Sequence, residues 1–328
     1  MVHYMEFLGR AGKALGRQDE AMKKRILKSL LLLLCPALHG QTIEDGIMMG
    51  RRLLCAGYLY THDSWNEYWE GALKRSNGNL GTVTTQSHQL FANYGVTDRL
   101  NVIAHLPQMR TDASQGVLAG QRGWQDATVA VKYKFFDAPL TEVGSLRAIA
   151  VVTAAAPMSD YTPDLLPLSI GLGSRRIAAR LTGHFRARKG WFVNTTSAYT
   201  WRDGVGLDRP YFYTNGRLTL SDRVQMPSVF DYSVSSGYIR RDLVLSASFS
   251  QQRTQGGGDI RRQDMPFISH RMNFSRAGVW AKVPLPKHEA LALVGGYSYV
   301  LNGRNVGQSS AITAGVMYLF HFPGVRTK

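Results

Sequence analysis

The chain has 328 residues, a formal net charge of +16, 44% hydrophobic residues and a mean hydropathy of −0.18. Such averages exclude a bundle of transmembrane helices, but not a transmembrane barrel, whose strands alternate polar and apolar residues. Two cysteines, Cys35 and Cys55, exclude a disulfide framework or a thiolate metal centre in any chain that loses its first forty residues.

The first element is a targeting segment. Met22-Lys23-Lys24-Arg25 leads into an apolar run from Leu30 to Leu34, then to Gly40-Gln41. A basic start, a short apolar core and a small residue before a polar one make a secretory signal peptide over 22–40, with cleavage after Gly40. The core is too short to span a bilayer. Residues 1–21 are read as a non-native or disordered extension, with translation starting at Met22. The expected mature domain is 41–328.

Twelve strands follow, over 51–61, 83–94, 100–110, 126–136, 145–156, 175–188, 191–202, 228–239, 243–254, 272–283, 290–300 and 309–322. The pair at 175–202 is the clearest. Ile177, Ala179, Leu181, Gly183 and Phe185 share one face, and Arg176, Arg180, His184, Arg186 and Arg188 share the other. A period of two is a strand, not a helix. Lys189-Gly190 then turns the chain, and Trp191, Val193, Tyr199 and Trp201 continue the apolar face. Trp191 and Trp201 are ten residues apart, roughly 25 Å along a tilted strand, the height of an apolar band edged by aromatic belts.

The connections alternate by parity. Those after even strands are short (GVTDR, DAPLTEVG, KG, RRD, PLPKHE). Those after odd strands are mostly long, over 62–82, 111–125, 157–174, 203–227, 255–271 and 301–308. A soluble sandwich has no reason to sort its loops this way. A bacterial outer-membrane barrel does, with short periplasmic turns and long extracellular loops. Closure is required in lipid, where an open edge leaves peptide groups unpaired. The expected fold is therefore all-β: a closed antiparallel transmembrane β-barrel of about twelve strands in the outer membrane of a Gram-negative bacterium.

Three pieces carry a family resemblance. They are Tyr94-Gly95-Val96-Thr97-Asp98-Arg99-Leu100 running to Leu106-Pro107, Gly123-Trp124-Gln125-Asp126 leading to Val131-Lys132-Tyr133, and Ala156-Pro157-Met158-Ser159-Asp160 with Gly171-Leu172-Gly173-Ser174. In these the chain resembles outer-membrane proteins labelled "MetA-pathway of phenol degradation", over most of residues 80–322. The resemblance implies a barrel and uptake of small, including aromatic, molecules. It carries no set of binding residues. The final strand, with Ile312, Val316, Tyr318, Phe320 and Phe322 on one face, resembles the terminal signal of barrels inserted by the outer-membrane assembly machinery.

If apolar faces meet lipid, the opposite faces line a lumen. The candidate lumen and solute-binding residues are Lys132, Lys134, Arg147, Arg176, Arg180, His184, Arg186, Arg202 and Arg276. Asp231 is the clearest carboxylate among them. A lumen of one charge sign favours ions of the other, so small anionic solutes are expected. The competing reading is that these cations fill a narrow barrel and pair with loop carboxylates such as Asp160, Asp164, Asp259 and Asp264. Expected partners are outer-membrane lipid, anionic lipopolysaccharide at loop residues such as Arg261 and Arg262, and a small solute. Nucleic acid, metal and cofactor are not expected.

Two alternatives carry other chemistry. His62 and Ser64 lie on one strand face, resembling outer-membrane lipid hydrolases, with Asn66, Asn77 or Asn79 to orient the imidazole. The Asn-Gly that follows the serine in such lipases is replaced by Trp65-Asn66. A surface adhesin would use the long loop 203–227, with Tyr211, Phe212 and Tyr213.

Overall fold

The computed structural model describes residues 42–140, 142–261, 267–286 and 288–322. The extension 1–21, the signal segment 22–40, Arg262 and Asp264 lie outside the described residues.

The architecture is a closed barrel of twelve long antiparallel strands. They are β1 (Leu53–Trp65), β2 (Val83–Gly95), β3 (Leu100–Ala113), β4 (Asp126–Leu140), β5 (Gly144–Pro157) and β6 (Arg176–Ala187). The second half is β7 (Trp191–Arg202), β8 (Val229–Arg240), β9 (Leu243–Thr254), β10 (Asn273–Leu285), β11 (His288–Arg304) and β12 (Ser310–His321). Each pairs with its neighbours in sequence, and β1 pairs with β12 from Leu53↔His321 to Ser64↔Ser310. That last ladder removes the edge, so every strand finds partners on both sides.

Strand length follows the alternation. Several strands run further outward than their apolar faces suggest: β1 to Trp65, β3 to Ala113 and β11 to Arg304. The extensions carry polar residues that hydrogen-bond above the apolar band. The short segment Arg122–Trp124 pairs with β3 through Gln108↔Trp124, and Gln125 N donates to Pro107 O at 2.9 Å. Arg122–Trp124 is thus a short strand segment of its own, offset from β4. The turn between β6 and β7 is as tight as its sequence indicates. Gly190 holds φ +96°, and a Cβ there would lie 2.4 Å from Ile239 O, so only glycine fits.

The outward face is apolar. Val129, Val131, Tyr133, Ile177, Leu181, Val193, Val279, Ile312 and Val316 are all exposed. Trp191 meets Tyr238 with ring centres 5.4 Å apart, and Trp201 meets Tyr199 edge-on at 4.9 Å, giving one aromatic pair at each end of β7. An exposed apolar girdle with aromatic edges is the inverse of a soluble protein's surface and matches a bilayer. The chain is an outer-membrane barrel. Among the described residues no helix is long and apolar enough to cross a membrane.

The long connections carry small hairpins of their own, Glu67–Glu70 with Leu73–Ser76 and Phe212–Thr214 with Arg217–Thr219. Val205, Leu207, Phe212, Val224, Met226, Phe267 and Ile268 cluster with Leu166 and Leu172, so three outer loops share one apolar core.

Candidate functional site in the barrel lumen

The inner, short-turn end of the lumen is occupied by residues 42–50. This segment precedes β1 and crosses the barrel interior. Its apolar side chains each find a wall. Ile47 packs with Phe192, Ile239 and Val244, while Met49 packs with Leu53, Cys55, Val294 and Met317. Ile43 and Met48 lie against Ile103, Ala130, Ile149 and Val151. Full burial of such a side chain contributes about 1.5–3 kcal/mol.

Polar contacts fix the register of the segment. Lys132 is fully buried, and its Nζ donates to Asp45 Oδ1 at 2.9 Å, Ile47 O at 2.9 Å and Thr42 O at 3.0 Å. A buried ammonium is tolerated only when its donors are matched in this way. Thr196 Oγ1 donates to Glu44 O at 3.2 Å, and Arg180 Nη1 lies 3.4 Å from Glu44 Oε1. Gly46 rests on His184, where a Cβ would come within 2.2 Å of the imidazole's own Cβ. His184 Nδ1 is hydrogen-bonded to Asn194 Oδ1 at 2.6 Å. Gly95 admits Gly50, whose carbonyl would lie 2.0 Å from any Cβ there.

All nine candidate residues stand on the inward-facing register, opposite the exposed apolar residues. The structure does not leave them all bare. Lys132 meets Asp45, Arg180 meets Glu44, and Arg176 forms a short ion pair with Asp126. Lys134 and Arg147 share Asp137, at 2.5 Å and 3.3 Å. Among the described residues Arg186, Arg202 and Arg276 have no carboxylate within ion-pair distance. The loop carboxylates pair elsewhere: Asp164 with Arg209 at 2.8 Å, and Asp259 with Arg304 at 2.5 Å. Among the described residues none of the candidate side chains forms an ion pair with Asp160, Asp164 or Asp259. The neutralising groups come from the N-terminal segment and the strands, because these lie inside the wall while the outer loops face one another.

Glu44, Asp45, Asp63, Asp126 and Asp137 are therefore lumen residues that the alternation of the basic strands did not reveal. A signal was present. Thr42-Ile43-Glu44-Asp45-Gly46-Ile47-Met48-Met49 carries two carboxylates among apolar residues, a complement to a basic apolar-floored tube.

Between Glu44 of segment 42–50 and the strand walls lies a polar chamber of about 210 Å³. Glu44, Arg180, Asp231, Ser250, Gln252 and Arg276 line it. Arg276 lies over the Phe274 ring at 4.9 Å, and its Nε has no hydrogen-bond partner. At the outer rim Tyr161 donates to Asp126 Oδ1 at 2.7 Å and accepts from Gly173 N at 3.0 Å. Burial and the Asp126 carboxylate push the Tyr161 phenol above its usual range, so it stays a donor.

The alternative sites are differently placed. His62 and Ser64 share the outward register with Ile312 and Tyr58. Among the described residues no hydrogen bond joins His62 to Ser64 or to Asn66, Asn77 or Asn79. In loop 203–227 Phe212 is buried in the loop core, and Tyr211 and Tyr213 are exposed. Among the described residues no group of histidine, cysteine and acidic side chains is placed to hold a metal.

Fold and lumen together define a twelve-stranded outer-membrane β-barrel with an internal N-terminal segment. The chain is similar in structure to an outer membrane channel from Pseudomonas putida F1, with TM-score 0.66 and 17% identity over 86% of this chain and 100% of that one. It is more loosely similar to the NanC porin, with TM-score 0.45 and 10% identity over 79% and 98% of the two chains. The translocator domain of the autotransporter NalP from Neisseria meningitidis gives TM-score 0.43 and 13% identity over 92% and 96%. At these identities what is shared is the barrel. No protein-family model matches the chain, and no curated protein matches it.

Proposed function

We propose that this protein is an outer-membrane channel for small solutes, in which residues 42–50 narrow the inner end of the path. The observation that carries the reading is the polar chamber between Glu44 of that segment and the strand walls. A barrel built only for adhesion needs no such interior. The free guanidiniums Arg186, Arg202 and Arg276 exceed the lumen carboxylates left without partners, which favours anions in transit. The resemblance of the Gly95–Leu100, Gly123–Asp126 and Ala156–Asp160 pieces to the phenol-degradation barrels supports uptake as the role and extends it to aromatic solutes.

The same reading assigns 22–40 as a removed signal and 41–328 as the mature barrel. The terminal strand, with Tyr318, Phe320 and Phe322 outward, is the segment offered to the assembly machinery, and exposed loop arginines meet lipopolysaccharide. Liposome swelling with the refolded barrel tests the proposal. Faster swelling in small carboxylates than in large sugars supports it, and permeability equal to protein-free liposomes overturns it.

A further inference from the structure

The chamber carries more than a positive field. Its walls hold two guanidiniums, Arg180 and Arg276, and two carboxylates, Glu44 and Asp231. Arg180 and Glu44 face each other at 3.4 Å and form one corner. Arg276 and Asp231 do not meet. The register sets Asp231 opposite Gln252 and Ser250 opposite Arg276, so the two charges stand two strands apart and one step offset. Two interstrand spacings put their backbones about 10 Å apart, no ion pair joins the side chains, and both line the same cavity. Ser233 and Ser250 lie between the two, offering hydroxyls.

We propose that this chamber binds small zwitterionic solutes, with an ammonium at Asp231 and a carboxylate at Arg276, the chemical class of free amino acids. The proposal deepens the channel reading and rests on it. Arg276 has its guanidinium carbon 4.9 Å from the Phe274 ring centre, and a guanidinium can meet a planar carboxylate with two parallel donors, which lysine cannot. A chamber of about 210 Å³ has the volume of about seven waters, enough for a compact amino acid. A solute with one charge engages one wall only, and the opposite wall gains nothing from it. A zwitterion satisfies both. Net positive charge elsewhere in the lumen then sets which ions cross, while the chamber sets which solutes dwell.

Three probes on one skeleton separate the cases: 4-aminobutyrate, butyrate and butylammonium. Binding to the refolded full barrel is measured by calorimetry in detergent, and ion conductance of the same preparation in planar bilayers. The expected result is at least tenfold tighter binding of 4-aminobutyrate than of either singly charged probe. Asp231→Asn is expected to move the preference to butyrate, and Arg276→Gln to butylammonium. Heat-modifiable gel migration confirms that each variant still closes as a barrel. Equal binding of butyrate and 4-aminobutyrate overturns the proposal, as does an unchanged order of preference in both variants. Conductance without zwitterion preference sinks the chamber proposal alone. Selective binding in a barrel that never conducts sinks the channel reading and leaves the site.

Discussion

Lys132 Nζ, fully buried on β4, lies 2.9 Å from Asp45 Oδ1 in the segment that precedes the first strand. This pair ties the interior of the barrel to its wall. It also turns a strand lysine, which alternation marks as a free lumen charge, into a latch. Asp45 is held in turn by the amides of Thr42 and Ile47, at 2.5 Å and 2.9 Å.

Lys132→Met is therefore expected to loosen segment 42–50 while leaving the barrel closed. The substitution removes three charge-assisted donations and strands Asp45 near an apolar floor, a loss of about 1–3 kcal/mol. Limited proteolysis of the folded protein checks it: cleavage near Met48-Met49 is expected to speed severalfold in the variant. Equal protection in both forms contradicts the latch.

Leu181→Arg tests the lipid-facing girdle. Leu181 is exposed midway between the levels of Trp191 and Trp201, on the outward register. A guanidinium at mid-bilayer costs about 2–4 kcal/mol in barrels of this kind. Urea unfolding from lipid vesicles is expected to shift by that amount. A soluble sheet would scarcely change.

The outer loops are clasped at Asn305. Its Nδ2 donates to Asp259 Oδ1 and Arg271 O, both at 2.8 Å, and its Oδ1 accepts from Gly71 N at 2.8 Å. Asn305→Ala removes all of these and is expected to raise hydrogen exchange at the Gly71 amide at least tenfold, with exchange in β6 and β7 unchanged. Uniform exchange across both regions would contradict a local clasp.

The clasp also sets a pH window. The Arg304 guanidinium, with Asn305, holds Asp259 down from 3.8 to about 2. A depressed carboxylate contributes stability above its unfolded value, and that contribution fades as pH falls through the folded one. Gly71 protection is expected to persist at pH 4 and to be lost toward pH 2. In Arg304→Gln the loss is expected to move up toward the ordinary carboxylate range. A loss at the same pH in both proteins contradicts this cause.

The wall of the barrel was legible because lipid and lumen impose opposite chemistry on alternate residues. The run from Arg176 to Trp201 shows both faces and the Lys189-Gly190 turn in one reading. Loop parity supplied the orientation. The lumen's contents were not legible in the same way. Pairing of Lys132 with Asp45 joins residues far apart in sequence, and no period links them. Asp126 and Asp137 sit at strand ends, where turn chemistry and lumen chemistry use the same residue. The loop core at Phe212, Phe267 and Ile268 draws on separate loops, each of which alone reads as polar and irregular.

The most direct measurement is planar-bilayer conductance of the refolded chain from Gln41 under a salt gradient, wild type beside Lys132→Met. Small, stable, anion-selective openings are expected in the wild type and larger ones in the variant. Silence from both properly folded barrels, or cation selectivity in both, would contradict a basic solute path narrowed from within by residues 42–50.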